Sequence, residues 1–150
     1  DIQAVLSLHQ IKASPRKSSA GEINSSPQEV RKRYFKIHLV GFKKRQVLFV
    51  EKETLDEFGL TPGQVRENVT VIGIKLAGLP AGTRLQVGDV LFEVTDDCAP
   101  CDYIEGIRPG LRTAIEGRRG TLCRVLSGGE VRVGDEVRVV EEERASPLIR

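Results

Sequence analysis

Short apolar runs alternate with polar positions along most of the chain and predict a protein built mainly from β-strands. Each run is closed by glycine, proline, asparagine or charged turn residues, which end strands. We predict the first strands at residues 2–9, in YFKIHLV (34–40), in QVLFVE (46–51) and in NVTVIGI (68–74). Strands this short and numerous are typical of a β-barrel.

A V-G-D pattern occurs twice in the second half of the chain, in RLQVGDVLFEV (84–94) and in EVRVGDEVRVV (130–140). Each copy predicts a strand, a tight turn and a second strand, and Gly128–Gly129 predicts a further hairpin turn. Because closing a sheet removes its exposed edges, this pattern favours a closed or half-closed β-barrel.

Few helices are expected. EKETLDEFG predicts a short helix that ends at Gly59, residues 102–105 predict one turn, and RPGLRTAIEG (108–117) predicts another helix. Residues 13–29, rich in Ser, Pro and Gly, predict a flexible loop. Since no linker divides the chain, we expect its 150 residues to form a single domain.

Composition excludes some classes of protein. No apolar run approaches the roughly 18 residues that a membrane span needs. The net charge is +2, too balanced to indicate nucleic acid. Basic residues cluster at 31–36, 43–45 and 118–119, either as a solvated surface or as a rim for a phosphorylated ligand. With three cysteines and no secretory signal, reduced thiols in the cytoplasm are expected.

Two of the cysteines form a C-x-x-C in EVTDDCAPCDYIEG (93–106). A structural zinc site needs four ligands, and the spacing of the Cys and His residues does not supply them. Disulfide exchange favours a βαβ context, and the flanking Asp96, Asp97 and Asp102 are expected to raise a thiol pKa. Chemistry at Cys101 alone, in a loop after a strand, competes with its being a half-buried small hydrophobic residue. Cys123, inside a strand, is expected to pack in the core.

Several motifs stand in an order that resembles one known family. They are GLTPG, RENVT, LPAGTRLQVG, the Pro100–Cys101 pair, RRG and the final VRVGD, and they extend over residues 46–140. In this order they are similar to the MOSC domain, named for the C-terminus of molybdenum-cofactor sulfurases. The resemblance implies a barrel like the β-barrel of pyruvate kinase, with added helices.

The resemblance also implies a function for Cys101. The matching cysteine binds the molybdenum cofactor or carries sulfur in the sulfurases, and it is a molybdenum ligand in amidoxime-reducing relatives. Small stand-alone relatives reduce N-hydroxylated bases and similar compounds. The leading expectation is therefore a molybdenum-cofactor-dependent oxidoreductase with Cys101 as metal ligand, a small-molecule substrate and an electron-donor protein. The alternatives are a sulfur carrier that forms a Cys101 persulfide with a cysteine desulfurase, and a binding barrel without chemistry.

Five further residues are expected to bind the cofactor because they match family motifs. They are Asn68 and Arg66 in RENVT, Arg119 in RRG, Arg45 and His38. An amide such as Asn68 suits the edge of a pterin, and the fork of Arg119 suits phosphate; a strand-start cap and a solvated loop charge are the respective alternatives. Many stand-alone members carry G-D-x-H upstream, where this chain has Phe35 and Lys36 in place of the Gly and Asp, with His38 as the histidine.

Overall fold

The computed structural model describes the backbone of residues 4–8 and 34–37 and the complete residues 47–140. This part of the chain contains nine strands and three short helices. The strands are β1 Ala4–Leu8, β2 Tyr34–Ile37, β3 Val47–Glu51, β4 Val69–Ile72, β5 Arg84–Val87, β6 Val90–Asp97, β7 Thr121–Ser127, β8 Gly129–Arg132 and β9 Val137–Val140. The helices are α1 Lys52–Glu57, α2 Asp102–Ile107 and α3 Leu111–Ala114.

Seven strands form one sheet in the order β1-β4-β3-β7-β6-β5-β9, and β2 pairs with β8 in a second, two-stranded sheet. Strands β3 and β4 are parallel, and the other pairs are antiparallel. Phe49 at the centre of β3 lies between Val69 of β4 and Thr121 of β7. The four apolar residues at the start of β3 are all buried, as expected for a strand covered on both faces.

The sheet curls around its larger core into a half-barrel. Val69 of β4 and Val137 of β9 belong to the same buried cluster although four strands separate β4 from β9 in the sheet order, which requires the sheet to curve. Phe49 and Phe92 meet edge to face in this core, with ring centroids 5.0 Å apart. The expected mainly β, half-closed barrel with a few short helices is therefore confirmed.

The helices cover the opposite face of β3 and β7. Leu48, Val50 and Leu122 project from these two strands into a second buried cluster. The remainder of this cluster comes from the helices and the loop before β4, through Leu55, Leu60, Val65, Ile104, Leu111 and Ile115. Alternate residues of β3 thus serve two cores, because successive strand side chains point to opposite faces.

The two V-G-D turns differ in a way that the sequence pattern does not reveal. The first joins β5 to β6 as an antiparallel hairpin, as expected. The second follows β8, which pairs with β2, and precedes β9, which pairs with β5; the expected strand, tight turn and strand are present, but the two strands belong to different sheets. Gly128–Gly129 likewise joins β7 to a strand of the other sheet rather than forming a hairpin. Both segments are corners between sheets.

The turns pack against each other, which explains the glycine in the first of them. A side-chain carbon at Gly88 would lie 2.3 Å from the Asp135 carboxylate and 2.8 Å from the Glu130 carbonyl oxygen. Asp135 in turn accepts a hydrogen bond of 2.7 Å from the backbone N–H of Arg132. The two V-G-D copies therefore contact each other, the hairpin turn through Gly88 and the corner through Asp135.

The predicted helix positions are confirmed with shorter bounds. Helix α1 ends just before Gly59, whose φ of 69° stops it, and α2 extends the single turn expected after Cys101. Only residues 111–114 of the segment 108–117 are helical. In the described ranges, no helix is long and apolar enough to cross a membrane. The expected loop at 13–29 lies outside the described residues.

Candidate functional site

Cys101 lies on the surface where β6 ends and helix α2 begins. The chain leaves β6 at Asp97, and the backbone N–H of Cys98 donates a 2.9 Å hydrogen bond to the carbonyl of Gly120, which anchors the loop against the segment before β7. Cys101 then stands at the N-cap of α2 with an extended backbone, and its thiol is free and exposed. The loop that carries the thiol is therefore bonded to the segment before β7 on one side and continues into α2 on the other.

The environment of Cys101 favours its thiolate. The backbone N–H groups of Tyr103 and Ile104 lower its pKa most, and the positive charge of Arg119 lowers it further. Burial and Asp102 act in the opposite direction with less effect. The sulfur makes no capping hydrogen bond of normal length, so the amides stabilise the thiolate by their dipoles at longer range.

Asp102 raises this pKa, as expected, but the backbone amides outweigh it and the pKa is lowered overall. Asp102 is the smallest contributor, because its exposed carboxylate is paired with the guanidinium of Arg112 at 2.7 Å. Asp96 and Asp97 lie exposed at the end of β6 and are not among the groups that shift the thiol. The pull of the backbone amides outweighs acidic neighbours that water screens.

Arg119 is a buried cation with unused hydrogen-bonding capacity. Its residue is only 5% exposed, and Nε and Nη1 lack a hydrogen-bond partner in the described part of the chain. Such atoms cost free energy to bury unless something pairs with them. Arg119 is also close enough to Cys101 to act on its thiol electrostatically. The two residues therefore form the centre of the candidate site.

Gly120, the residue after Arg119, packs closely against β3. Its φ is 151°, and a side-chain carbon here would lie 2.6 Å from Leu48 Cδ1 and 3.1 Å from the Phe49 carbonyl oxygen. Only glycine lets the backbone approach β3 this closely. The preceding Arg118 instead stays at the surface, where it pairs with Glu57 through two hydrogen bonds of 2.7 and 3.0 Å.

Arg66 reaches the same end of α2 by a different route. Its guanidinium carbon stands 3.8 Å from the centre of the Tyr103 ring. Tyr103 lies two residues after Cys101 and donates a 2.8 Å hydrogen bond from its hydroxyl to the Gln64 carbonyl. The sequence arguments did not single out Tyr103; an aromatic residue in the first turn after the cysteine was the available signal.

Asn68 is used, at least in part, to hold the sheet together. Its Oδ1 accepts a 2.8 Å hydrogen bond from the backbone N–H of Leu48, and its own N–H donates to the Leu48 carbonyl. These contacts match the strand-start cap that was the alternative interpretation. Glu67 beside it is only 1% exposed, with one carboxylate oxygen bonded to Gly63 and Thr70 and the other unpartnered.

The remaining candidates are distributed differently. Arg45 and His38 lie outside the described residues. Phe35 and Lys36 lie in β2, opposite Val131 and Glu130 of β8. Cys98 is half-buried against the second core, and Cys123 is in the larger core, where burial raises its pKa far above the usual range. In residues 47–140, no three His, Cys, Asp or Glu side chains form a metal-binding group.

The described surface also has a shallow depression, lined by Glu51, Thr54 and Arg118 among others, and Cys101 does not take part in it. The chemical groups of the candidate site are therefore an exposed thiol and a buried guanidinium, not the walls of that depression.

The lowered pKa predicts how Cys101 reacts with iodoacetamide. Because the thiolate is the nucleophile and its folded pKa lies below that of an ordinary thiol, the alkylation rate should stay high to lower pH than for free cysteine. Cys123 should not react until the protein unfolds. Mass spectrometry of the alkylated peptides between about pH 6 and pH 10 measures both. The prediction would be contradicted if the alkylation rate of Cys101 fell off at the same pH as that of free cysteine, or at a higher pH.

The fold is similar to those of three solved proteins. YiiM from Geobacillus stearothermophilus matches with a TM-score of 0.67 and 22% identity, over 92% of this chain and 74% of that one. YiiM from Escherichia coli matches with a TM-score of 0.66 and 14% identity, over 95% and 71% of the two chains. The YuaD protein of Bacillus subtilis matches with a TM-score of 0.56 and 23% identity, over 91% and 84%. At these identities the likeness shows the fold alone. No curated protein matches the chain by sequence.

The family is shown by the sequence. The MOSC domain matches residues 36–138, more than half of the chain, and begins ten residues before the segment in which the motifs were recognised. The match includes Cys101 together with Arg66, Asn68 and Arg119. The chain therefore belongs to the MOSC domain family, which is associated with binding of the molybdenum cofactor.

Proposed function

We propose that this protein binds the molybdenum cofactor with Cys101 as a ligand of the metal and reduces N-hydroxylated compounds. The observation that carries the proposal is the exposed, thiolate-favouring Cys101 near a buried Arg119, whose Nε and Nη1 find no hydrogen-bond partner among the described residues. Family membership makes the cofactor the expected ligand. The N-hydroxylated substrate class rests on the resemblance to small stand-alone members.

The side chains present fit this cofactor. A thiolate is a soft ligand of the kind that suits a metal already bound to dithiolene sulfurs. Arg119 offers Nε and Nη1 to an anionic oxygen, and pairing with a phosphate would remove the penalty of their burial. Arg66 adds an exposed second positive charge near the first turn of α2. Soft sulfur and two guanidinium groups match the metal and the phosphate of the cofactor respectively.

When bound, the cofactor supplies two-electron transfer at molybdenum. The chain contributes a fixed Cys101 sulfur, a positive field from Arg119, and a backbone that keeps the thiol at the surface, where a small substrate can reach it. The sequence carries no flavin, haem or iron–sulfur signature. Electrons would therefore be delivered by a partner protein, and the exposed position of Cys101 is compatible with such an encounter.

The direct test is metal analysis of protein made in a host that produces the cofactor. We expect about one molybdenum per chain, and reduction of an N-hydroxylated nucleobase when a reduced viologen dye supplies electrons. A purified chain that contains no molybdenum above the level of a non-binding protein from the same host would refute the proposal. If the protein binds molybdenum but does not reduce the N-hydroxylated nucleobase, the cofactor part of the proposal stands and this substrate class is excluded.

One observation favours a second function, a sulfur carrier. A carrier needs an exposed thiolate, and Cys101 is exposed with a pKa that the backbone amides of Tyr103 and Ile104 lower. The thiolate would attack the terminal sulfur of a cysteine desulfurase persulfide, the desulfurase thiolate would leave, and Cys101 would hold the transferred sulfur as a persulfide. The acidic flank had been an argument against this role, and the lowered pKa removes that argument.

Mass spectrometry separates the two functions. After incubation with a cysteine desulfurase and free cysteine, the carrier hypothesis expects one additional sulfur atom on the Cys101 peptide, removable by a reductant. Because no Lys or Arg separates Cys98 from Cys101, fragmentation of their shared tryptic peptide locates the added sulfur, and Cys98 is the internal control. An unmodified Cys101 in a chain that binds molybdenum would exclude the carrier and support the reductase.

A further inference from the structure

The first turn of α2 needs support from outside the helix. The helix has six residues and its N-cap, Cys101, makes no side-chain capping bond. A helix this short is not stable alone, so its order must come from tertiary contacts. The Cys101 carbonyl accepts hydrogen bonds from the N–H groups of Ile104 at 3.0 Å and Glu105 at 3.2 Å. Contacts that fix the first turn of α2 therefore also fix the backbone of Cys101.

Tyr103 connects that turn to the loop before β4. Its hydroxyl donates to the Gln64 carbonyl at 2.8 Å, although 39 positions separate the two residues in sequence. Its ring carries the Arg66 guanidinium at 3.8 Å, close enough for a cation–π contact. The Gln64 carbonyl and the Arg66 guanidinium therefore both contact the Tyr103 side chain, two residues from the thiol.

Arg66 holds this position at a cost in backbone strain. Among the described residues it is the only one other than glycine with a positive φ, which is 67°. Glycine would adopt this conformation with less strain. The strain persists because the loop is locked around it: the Arg66 N–H donates to the Gly63 carbonyl at 3.0 Å, and the buried Glu67 carboxylate accepts from Gly63 at 2.6 Å and from Thr70 at 2.8 Å. An arginine where glycine fits better indicates that its side chain has a use.

We propose that Tyr103 is a positioning residue for Cys101, held over the thiol-bearing turn by Arg66 above its ring and by the Gln64 carbonyl at its hydroxyl. The loop before β4 thereby sets the orientation of Cys101 from outside α2. The importance of that orientation for catalysis rests on the proposed function, whereas the positioning itself is a property of the protein without cofactor.

Amide hydrogen exchange, measured by NMR on the cofactor-free protein, tests the positioning. The reporters are the Ile104 and Glu105 amides, which are bonded to the Cys101 carbonyl. Tyr103→Leu and Arg66→Gly should each exchange these amides about tenfold faster, the ratio that corresponds to about 1.4 kcal/mol of local opening. Tyr103→Phe keeps the ring under Arg66 but loses the bond to the Gln64 carbonyl, so its exchange should fall between those of the wild type and Tyr103→Leu. Arg66→Lys keeps a cation and should retain most of the protection. Arg132→Ala, which removes an exposed arginine of β8, is the control and should leave these amides unchanged.

Global stability distinguishes positioning from a general structural role. Because Arg66→Gly relieves the strained backbone, its thermal midpoint should equal or exceed that of the wild type while the α2 amides exchange faster. Faster exchange together with a lowered midpoint, or unchanged exchange in both Tyr103→Leu and Arg66→Gly, would overturn the proposal. Molybdenum content is measured separately: a wild type without molybdenum sinks the proposed function, and the exchange result still decides the role of Tyr103.

Discussion

Replacing Cys101 by serine should reduce bound molybdenum at least about tenfold, to the level of a non-binding protein. Serine is nearly the same size, and Cys101 is exposed, so the fold should be unaffected within about 0.5 kcal/mol. A hydroxyl is a harder and far less acidic group than a thiol, so serine does not supply the soft anionic ligand. Elemental analysis of purified Cys101→Ser from a cofactor-producing host measures the loss, and circular dichroism checks the fold.

Cys98→Ser is the matched control, since it removes the other sulfur of the same C-x-x-C. Cys98 is half-buried against the second core, whereas Cys101 is exposed. We expect Cys98→Ser to bind as much molybdenum as the wild type. Equal molybdenum in Cys101→Ser and the wild type would remove Cys101 from the metal site, and loss in both variants would indicate that the pair acts as a unit.

Replacing Arg119 by methionine should stabilise the cofactor-free protein and weaken cofactor retention at the same time. The buried guanidinium has two unpaired N–H atoms, and an apolar side chain of similar length removes that cost. The free energy of unfolding should rise by about 1–3 kcal/mol. Loss of charge-assisted hydrogen bonds to a phosphate should weaken retention by about tenfold to a hundredfold. Denaturant unfolding and molybdenum content after extensive dialysis measure the two effects.

Arg118→Met provides the comparison one residue away. Arg118 is at the surface and already paired with Glu57, whose pKa it lowers mainly through their hydrogen bond. We expect this variant to lose slightly in stability and to retain the cofactor. If Arg119→Met instead destabilises the cofactor-free protein, Arg119 is part of the structural framework and its assignment to the ligand fails.

The site shows which kinds of inference a sequence supports. Cys101 is a candidate on sequence grounds because proline precedes it at the end of a strand, within a series of family motifs. The thiol pKa was not predictable. Three aspartates near it in sequence suggested a raised value, but the amides of Tyr103 and Ile104 and the charge of Arg119 lower it. Charge in sequence does not report distance or solvent exposure, and these determine the effect.

The strands, the helix stops and the half-barrel follow from the sequence, because two-residue alternation and glycines at turns are local signals that short-range sterics enforce.

The pairing of the strands does not follow from the sequence. The two V-G-D copies look alike, yet one forms a hairpin and the other a corner, since pairing depends on which distant strand offers an open edge. The same holds for the site. The sequence singled out Cys101 and the arginines as candidates, and only the tertiary structure decided that Arg119 is buried near Cys101 and that Arg66 is held over Tyr103. Those contacts join segments far apart in the chain, and no local pattern encodes them.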